Sequence, residues 1–364
     1  MSEWRTYQLG ELLEVKYGKD HKALSEGNIP AYGSGGIMRY VDKAIYNEVS
    51  ILIPRKGSLN NIYYLDKPFW TVDTMFWTKV NQKLVDPKFL YYKLTTFNYS
   101  DMNVGSAVPS MTVPVLNEME IVAPDIKTQQ RIASILSSLD DAIELNQQIN
   151  KTLEEMAKAI FKEWFVDFNF PNAKGKFQET EIGKIPVGWK QMKLSEALEI
   201  KYGKDHKHLQ EGNIPVYGSG GIMRFAEKPL YENESILIPR KGTLSNLFYI
   251  NKPFWTVDTM FYSKIKVANS GKYLFHLLQT LNLASMNVGS AVPSLTTEVL
   301  NNILIAMPDE NTLKEFEKIV SSLFNQAEQD IQENQSLSNL RDTLLPKLMK
   351  GEIEINIKGD VAKV

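Results

Sequence analysis

The sequence predicts an α+β protein in which one unit is written twice, each copy a mixed α/β globule followed by a long helix. Three observations carry this. The segment Lys16-Tyr17-Gly18-Lys19-Asp20-His21-Lys22 returns as Lys201-Tyr202-Gly203-Lys204-Asp205-His206-Lys207, and residues 16–78 align on 201–263 without gaps at 44 identities in 63 positions. Within each copy, short runs of β-branched and aromatic residues are punctuated by Gly, Pro and Asn. After Asp125 no Gly or Pro occurs until Pro171, and apolar residues recur at helical spacing.

Taken in order, Ser50 to Ile53, Asn61 to Leu65 and Phe69 to Val72 predict strands, and Pro87 to Phe97 a short helix with its counterpart at Lys272 to Leu281. The repeat resumes at an offset of 184, with Met102 to Ser110 matching Met286 to Ser294 and Pro124-Asp125 matching Pro308-Asp309. Ile132, Ile135, Leu136, Leu139, Ile143, Ile149, Leu153, Met156, Ile160 and Trp164 then form one amphipathic stripe. Phe316, Val320, Leu323, Ala327, Leu337, Leu340, Leu344 and Leu348 form the other, which ends before Gly351. At ~1.5 Å per residue such helices are rods of about 60 Å. The boundaries predicted are a first globule over 1–126, a rod over 127–170, a linker (Pro171 to Trp189) and second globule over 171–308, a rod over 309–350 and a tail over 351–364. The first rod delivers the chain to the second globule, so the second returns most economically antiparallel to it. Asn146, Asn150, Asp330 and Asn334 interrupt the stripes midway. They either fix the register of the helix pair or face solvent.

Composition excludes several chemistries. Among 364 residues there is no cysteine, which removes disulfides, thiolate nucleophiles, iron–sulfur clusters and cysteine zinc sites; four histidines remain. No apolar run approaches the ~18 residues of a membrane span, and Met1-Ser2-Glu3-Trp4-Arg5 lacks the pattern of a signal peptide, so a cytoplasmic protein without a membrane partner is expected. The net charge of -2 makes any polyanion-binding surface local. Residues 171–308 carry sixteen basic against eleven acidic side chains, residues 1–124 thirteen of each, and both rods are acidic.

Four duplicated segments are candidates for contact with nucleic acid. Lys16, Lys19, His21 and Lys22, with Lys201, Lys204, His206 and Lys207, make a basic stretch interleaved with tyrosine. Tyr32-Gly33-Ser34-Gly35-Gly36 and Tyr217-Gly218-Ser219-Gly220-Gly221 are turns whose backbone N–H groups, with Ser34 and Ser219, suit a phosphate; Arg39 and Arg224 follow closely. Arg55-Lys56-Gly57-Ser58 and Arg240-Lys241-Gly242-Thr243 are basic turns at strand ends, where arginine can pair bidentately with guanine. Gly105 to Ser110, with Ser106 and its copy Ser290, is the fourth. Each of these also has a plain structural reading as a tight or solvated turn. Asp73 and Asp258, within Phe-Trp-Thr-Val-Asp-Thr-Met-Phe, are read as buried carboxylates serving backbone amides rather than as acceptors from cytosine. No P-loop or GxGxxG motif occurs. Glu14-Val15-Lys16 lacks the further carboxylates of a nuclease metal site, His206-Lys207-His208 loses a histidine in the first copy, and the Asn/Asp-Pro-Pro-Tyr/Phe tetrapeptide of adenine methyltransferases is missing.

The chain resembles, end to end, the specificity subunits of type I restriction-modification systems. The resemblance is carried by two globules alternating with two long helices, by Gln129-Gln130-Arg131-Ile132-Ala133-Ser134-Ile135-Leu136-Ser137-Ser138-Leu139-Asp140-Asp141-Ala142-Ile143, by Ile185-Pro186-Val187-Gly188-Trp189 and by Leu344-Leu345-Pro346-Lys347-Leu348-Met349-Lys350-Gly351-Glu352-Ile353. It implies that each globule is a target recognition domain reading half of a bipartite site in double-stranded DNA, without a catalytic centre of its own. It implies antiparallel helices that dock methyltransferase subunits, with restriction subunits completing the complex. S-adenosylmethionine, ATP and Mg²⁺ would belong to those partners, and no metal to this chain. Family members usually carry two dissimilar recognition domains; near copies predict a palindromic or near-palindromic interrupted site. The rival expectation is a pseudo-dimeric scaffold that binds peptide or glycan, which the balanced charge of the first globule favours slightly and the long rods and terminal motifs oppose.

Overall fold

The computed structural model describes residues 4–102, 109–286 and 293–353. In chain order the first copy contains β1 (Arg5–Gln8), α1 (Leu9–Leu12), β2 (Leu13–Tyr17), β3 (Ile29–Gly33), β4 (Gly36–Val41), β5 (Ser50–Pro54), β6 (Tyr63–Leu65), β7 (Trp70–Thr71), β8 (Met75–Val80), α2 (Pro87–Thr95), α3 (Val113–Asn117), β9 (Glu120–Ala123) and the long α4 (Ile126–Phe161). A hairpin of β10 (Phe177–Thr180) and β11 (Gly183–Pro186) precedes the second copy. That copy runs β12 (Lys190–Lys193), α5 (Leu194–Ala197), β13 (Leu198–Tyr202), β14 (Ile214–Gly218), β15 (Gly221–Ala226), β16 (Ser235–Pro239), β17 (Phe248–Ile250), β18 (Trp255–Thr256), β19 (Met260–Ile265), α6 (Gly271–Thr280), α7 (Thr297–Asn301), β20 (Leu304–Met307) and α8 (Glu310–Lys350). The α+β class and the duplication are as expected.

The chain divides into two compact units: Met1–Gln147 with Ile331–Val364, and Gln148–Asp330. In unit 1, β2-β8-β5-β6 form an antiparallel sheet, β4-β3-β7 a second sheet in which β3 and β7 are parallel, and β1-β9 a ribbon. Unit 2 repeats this as β13-β19-β16-β17, β15-β14-β18 and β12-β20. Each unit thus takes part of both long helices. Ile132, Ala133 and Leu136 of α4 and Leu348 and Met349 of α8 enter the core of unit 1; Ala157 and Phe161 of α4 and Leu313, Phe316 and Val320 of α8 enter that of unit 2. Ile132, Leu136, Phe316, Val320 and Leu348 belong to the expected stripes, and at ~25 cal/mol per Å² their burial holds helix to globule. Ile149, Met156 and Leu340, expected on the stripes too, are exposed because they lie where the helix packs on no globule core.

The helix starts are built alike. Asp125 Oδ1 accepts from the backbone of Lys127 and Thr128 at 3.0 and 3.2 Å, and Asp309 does so from Asn311 and Thr312 at 3.1 Å each, satisfying N–H groups that a helix start leaves orphaned. The Thr128 hydrogen bond lowers the Asp125 carboxyl below its ordinary value.

Within each unit the two helices run antiparallel. In unit 1 Asp140 meets Arg341 while Asn146 meets Asn334; in unit 2 Asn150 meets Ala327 while Phe161 meets Phe316. The four interrupting residues turn into the seam rather than to solvent. Asn146 Nδ2 donates to Asn334 Oδ1 at 3.0 Å and to Glu333 at 3.1 Å, Asn150 Nδ2 to the Ala327 carbonyl at 3.3 Å, and Asp330, 4% exposed, accepts from Gln326 at 2.7 Å.

Two local expectations need correction. The first helix was expected through residue 170, but α-helix stops at Phe161, a π-helical turn follows over Lys162–Val166, and Phe168 takes a left-handed φ of 58°. The reason is aromatic packing: Phe165, Phe168 and Phe170 all fold onto the Trp189 ring at 5.4–5.7 Å, which a continuing helix could not allow. The stretch expected to be a linker is accordingly ordered, with the β10–β11 hairpin inside it and Trp189 buried at its end.

Candidate nucleic-acid interface

The turn Val72-Asp73-Thr74, between β7 and β8, is the hub of the candidate face in unit 1. The Thr74 carbonyl accepts from the backbone of Arg55 at 2.8 Å and of Lys56 at 3.2 Å, and its hydroxyl from the Ser34 amide at 3.4 Å. The basic turn Arg55 to Ser58 and the glycine-rich turn around Ser34 are thereby brought side by side. Asn61 Nδ2 joins them from a third segment by donating to the Ser34 carbonyl at 2.8 Å. Gly57, at φ 87°, lets the chain reverse where a side chain would be strained and would meet Ser34 Oγ at 2.9 Å. Lys56 also bridges to Ser110, so the described end of the fourth candidate segment adjoins the basic turn. Ser106 and Ser290 lie outside the described residues.

Tyr17 completes the face from the end of β2. Its ring is 55% exposed, the Arg55 guanidinium lies 5.3 Å from its centroid, and its edge rests on buried Phe76 at 5.2 Å. Arg55 Nη1 donates to the Asp73 carbonyl at 3.1 Å. Unit 2 repeats the geometry. Arg240 lies 5.3 Å from the centroid of Tyr202, which is 50% exposed, and donates to the Asp258 carbonyl at 2.9 Å; Thr259 takes the hub position for Arg240 and Lys241, and Asn246 reaches the Ser219 carbonyl at 3.0 Å. Ser58 and Thr243 are exposed beside these turns.

The remaining candidates divide. Lys16 and Lys201 do not join the arginine face: strand alternation places them opposite Tyr17 and Tyr202, and they pair with Glu14 and Glu199, whose carboxyls those lysines hold below their ordinary values. Lys19, Lys22, Lys204 and Lys207 are exposed and make no ion pair among the described residues. Their loop leaves the sheet at Gly18 and Gly203, where a Cβ would lie 2.0 Å from the Val72 or Val257 carbonyl oxygen. Trp70 and Trp255 fix it by donating to the Lys19 and Lys204 carbonyls at 3.0 and 2.9 Å. His21 and His206 in this loop are half-buried, each with Nδ1 buried and without a hydrogen-bond partner among the described residues. Arg39 and Arg224 brace the same loop, donating to the Leu24 carbonyl at 3.1 Å and to the Leu209 carbonyl at 2.9 Å. Beside them, β4 exposes Ile37, Met38 and Tyr40, and β15 exposes Ile222, Met223 and Phe225.

The expectation for Asp73 and Asp258 is overturned: both are exposed. Val72 to Thr74 is a turn and not the middle of a strand, because the Met75 amide closes back on the Val72 carbonyl at 3.0 Å. From the sequence, Tyr17 and Tyr202 stand out only as interleaving the basic segment, and Asp73 and Asp258 as lying inside strands. Tyr at a strand end beside a repeated Gly, and Asp before Thr in a duplicated turn, were the signals that could have placed them on this candidate face. Among the described residues no cluster of three or more His, Asp or Glu could hold a metal ion, and no helix is long and apolar enough to cross a membrane.

The comparisons with known proteins bear on the family and the fold. The chain is 26% identical to the MjaIX type I restriction enzyme specificity subunit of Methanocaldococcus jannaschii, over 85% of this chain and 79% of that protein. It is 25% identical to the HindI specificity subunit of Haemophilus influenzae, over 97% of this chain and the whole of that one. Among solved structures, the type I restriction-modification S subunit from M. genitalium shares the fold at a TM-score of 0.66 and 20% identity, covering 98% of this chain and 97% of that one. The family model "Type I restriction modification DNA specificity domain" matches residues 1–155 and again 186–338, once for each copy of the repeat, and the chain belongs to that family.

Proposed function

We propose that each unit reads one half of an interrupted site in double-stranded DNA through the face built on Arg55 and Lys56, or on Arg240 and Lys241, and that the two half-sites are identical or closely related and inverted. The observation that carries this is the duplication of the Tyr–Arg–turn geometry, with matching distances and matching residues. Lys19, Lys22, Lys204 and Lys207 supply phosphate contacts beside it. The chain is the recognising, non-catalytic subunit. Methyltransferase subunits carrying S-adenosylmethionine, and restriction subunits using ATP and Mg²⁺, act where it binds. For the methyltransferase, the docking surface lies on the long helices, which expose Leu145 and Leu340 in unit 1 and Met156 in unit 2.

The test is Arg55→Ala against Arg240→Ala in the methyltransferase complex. Each is expected to lose discrimination in a different half-site, by ~1–3 kcal/mol for a base-edge contact, with the salt dependence of binding little changed. Equal loss on every sequence would make both arginines phosphate contacts, and no loss in either would remove this face from the DNA. A steep salt dependence of the unaltered complex on random duplex separates DNA binding from a peptide or glycan scaffold.

A further inference from the structure

We propose that Asp73 with Arg55, and Asp258 with Arg240, form a duplicated reader of one G·C base pair in each half-site, with Tyr17 and Tyr202 positioning the arginines; this rests on the DNA-reading role of the face. The guanidinium of Arg55 is held on two sides, by the Asp73 carbonyl at 3.1 Å and the Tyr17 ring at 5.3 Å. In unit 2 the values are 2.9 and 5.3 Å. The stack is built outward from the core. Fully buried Phe76 and Phe261 meet the tyrosine edges at 5.2 and 5.1 Å, and Trp77 Nε1 donates to the Tyr17 carbonyl at 3.1 Å. Tyr17 is therefore fixed at its backbone and ring, Tyr202 at its ring, and the arginine on each starts from a set orientation with further N–H groups that have no protein partner among the described residues.

The acid is the informative member. A carboxylate on a face that approaches phosphates is repelled, yet Asp73 and Asp258 are exposed and their carboxylates have no protein partner among the described residues. Such a group belongs in the interface where it meets a donor, and the donors in the major groove are the amino groups of cytosine and adenine. The neighbouring arginine selects between them. A G·C pair presents acceptor, acceptor, donor across the groove at guanine N7, guanine O6 and cytosine N4, whereas an A·T pair places its donor between two acceptors. Two arginine N–H groups, together with a carboxylate from the turn whose backbone carbonyl already holds that arginine, complement the first row and not the second.

The experiment is selection from a pool of randomised half-sites with the complete specificity and methyltransferase complex. Asp73→Ala should lose preference for one G·C pair in one half-site by about tenfold, and Asp258→Ala the same pair in the other half, with no fall in affinity for random duplex. Tyr17→Phe keeps the stacking ring and should keep the preference; Tyr17→Leu should relax it at the same position. Asp73→Asn, nearly isosteric, serves if the alanine variant does not fold, and should relax that position too. The proposal is overturned if the aspartate variants tighten binding to all sequences equally, which would place the acids against phosphate, or if no single position changes. If the unaltered complex itself prefers no sequence, the DNA-reading role falls as well, so the two failures are told apart.

Discussion

In unit 1, Tyr92 of α2 donates to Asp140 of α4 at 2.5 Å, and Arg341 of α8 pairs with the same carboxylate at 2.7 Å. At the equivalent places, offset by 184, unit 2 has His276, Phe324 and Ala157, an apolar and aromatic contact. The polarity reverses one turn away. Lys272 of α6 is buried against Glu317 of α8 at 2.5 Å, under the Tyr249 ring and beside its hydroxyl, which in turn donates to Glu234; unit 1 has Lys88, Ala133, Tyr64 and Val49 there. The outward faces of the two units are near copies, while the seams that hold the helices to them are not. The difference teaches how a duplicated chain pairs its parts correctly. Each long helix contributes one segment to each unit, and the contacts that receive those segments differ: the Asp140 carboxylate holds Tyr92 and Arg341 in unit 1, and Glu317 holds Lys272 in unit 2. A buried charge without its partner costs several kcal/mol.

The largest break in this comparison is Lys272→Met. It leaves Glu317, whose side chain is 21% exposed and which still accepts from Ser321, without its cation, and unit 2 should lose about 2–3 kcal/mol. Lys88→Met, which removes only a cation at 5.8 Å from the Tyr64 ring, should cost under ~1 kcal/mol in unit 1. Pairing Lys272→Met with Glu317→Leu should restore most of the loss. Denaturant unfolding followed by hydrogen exchange in each unit measures all three. Similar losses for both lysines would contradict the contrast.

Acid should separate the units next. His276 is packed among Phe161, Phe275, Phe316 and Phe324, and desolvation lowers its imidazole from the ordinary 6.5 to about 4, partly offset by its hydrogen bond to Gln279. Between those values the unfolded chain binds a proton that the folded unit refuses. The contribution is therefore complete above pH 6.5 and lost as pH falls toward 4, amounting to about 3 kcal/mol. Tyr92, the equivalent residue, is pushed upward by burial and by Asp140 and does not titrate in that window. Exchange protection should fall in unit 2 before unit 1 between pH 6.5 and 4, and His276→Phe should flatten the dependence. An unchanged profile in that variant would assign the acid sensitivity elsewhere.

A smaller effect sharpens the other side. Arg341→Ala removes a pair that is about one-third exposed, so solvent screening limits the cost to roughly 1 kcal/mol in unit 1, with unit 2 unmoved. A larger loss would make Asp140 an anchor comparable to Glu317, which holds the buried Lys272.

Much of the molecule was legible in the sequence because its signals are local. The stripes from Ile132 and Phe316 onward gave the long helices, the two Pro-Asp pairs gave their starts, and Arg55 to Ser58 gave the turn at the centre of the face. What escaped depends on distant partners or on turns hidden among apolar residues. Phe69 to Phe76 carries bulky residues on both sides of Asp73, so its pattern imitates one buried strand, and only the Met75 to Val72 hydrogen bond shows the break. Lys16 looked like part of the basic face until the strand pairing put it on the other side of the sheet from Tyr17. The end of α4 was set by Trp189, over twenty residues away, and the sense of Asn146 and Asn150 by residues of α8.

The central claim is that two units with one outward geometry read one half-site twice. Mapping the adenines methylated across a genome by the complete complex tests it most directly. The account predicts an interrupted inverted repeat, its halves identical or diverging at exposed differences such as Ala23 against His208, Ser25 against Gln210 and Ser58 against Thr243; Ala31 and Val216, also different, are buried and cannot contribute. Two unrelated half-sites would contradict it.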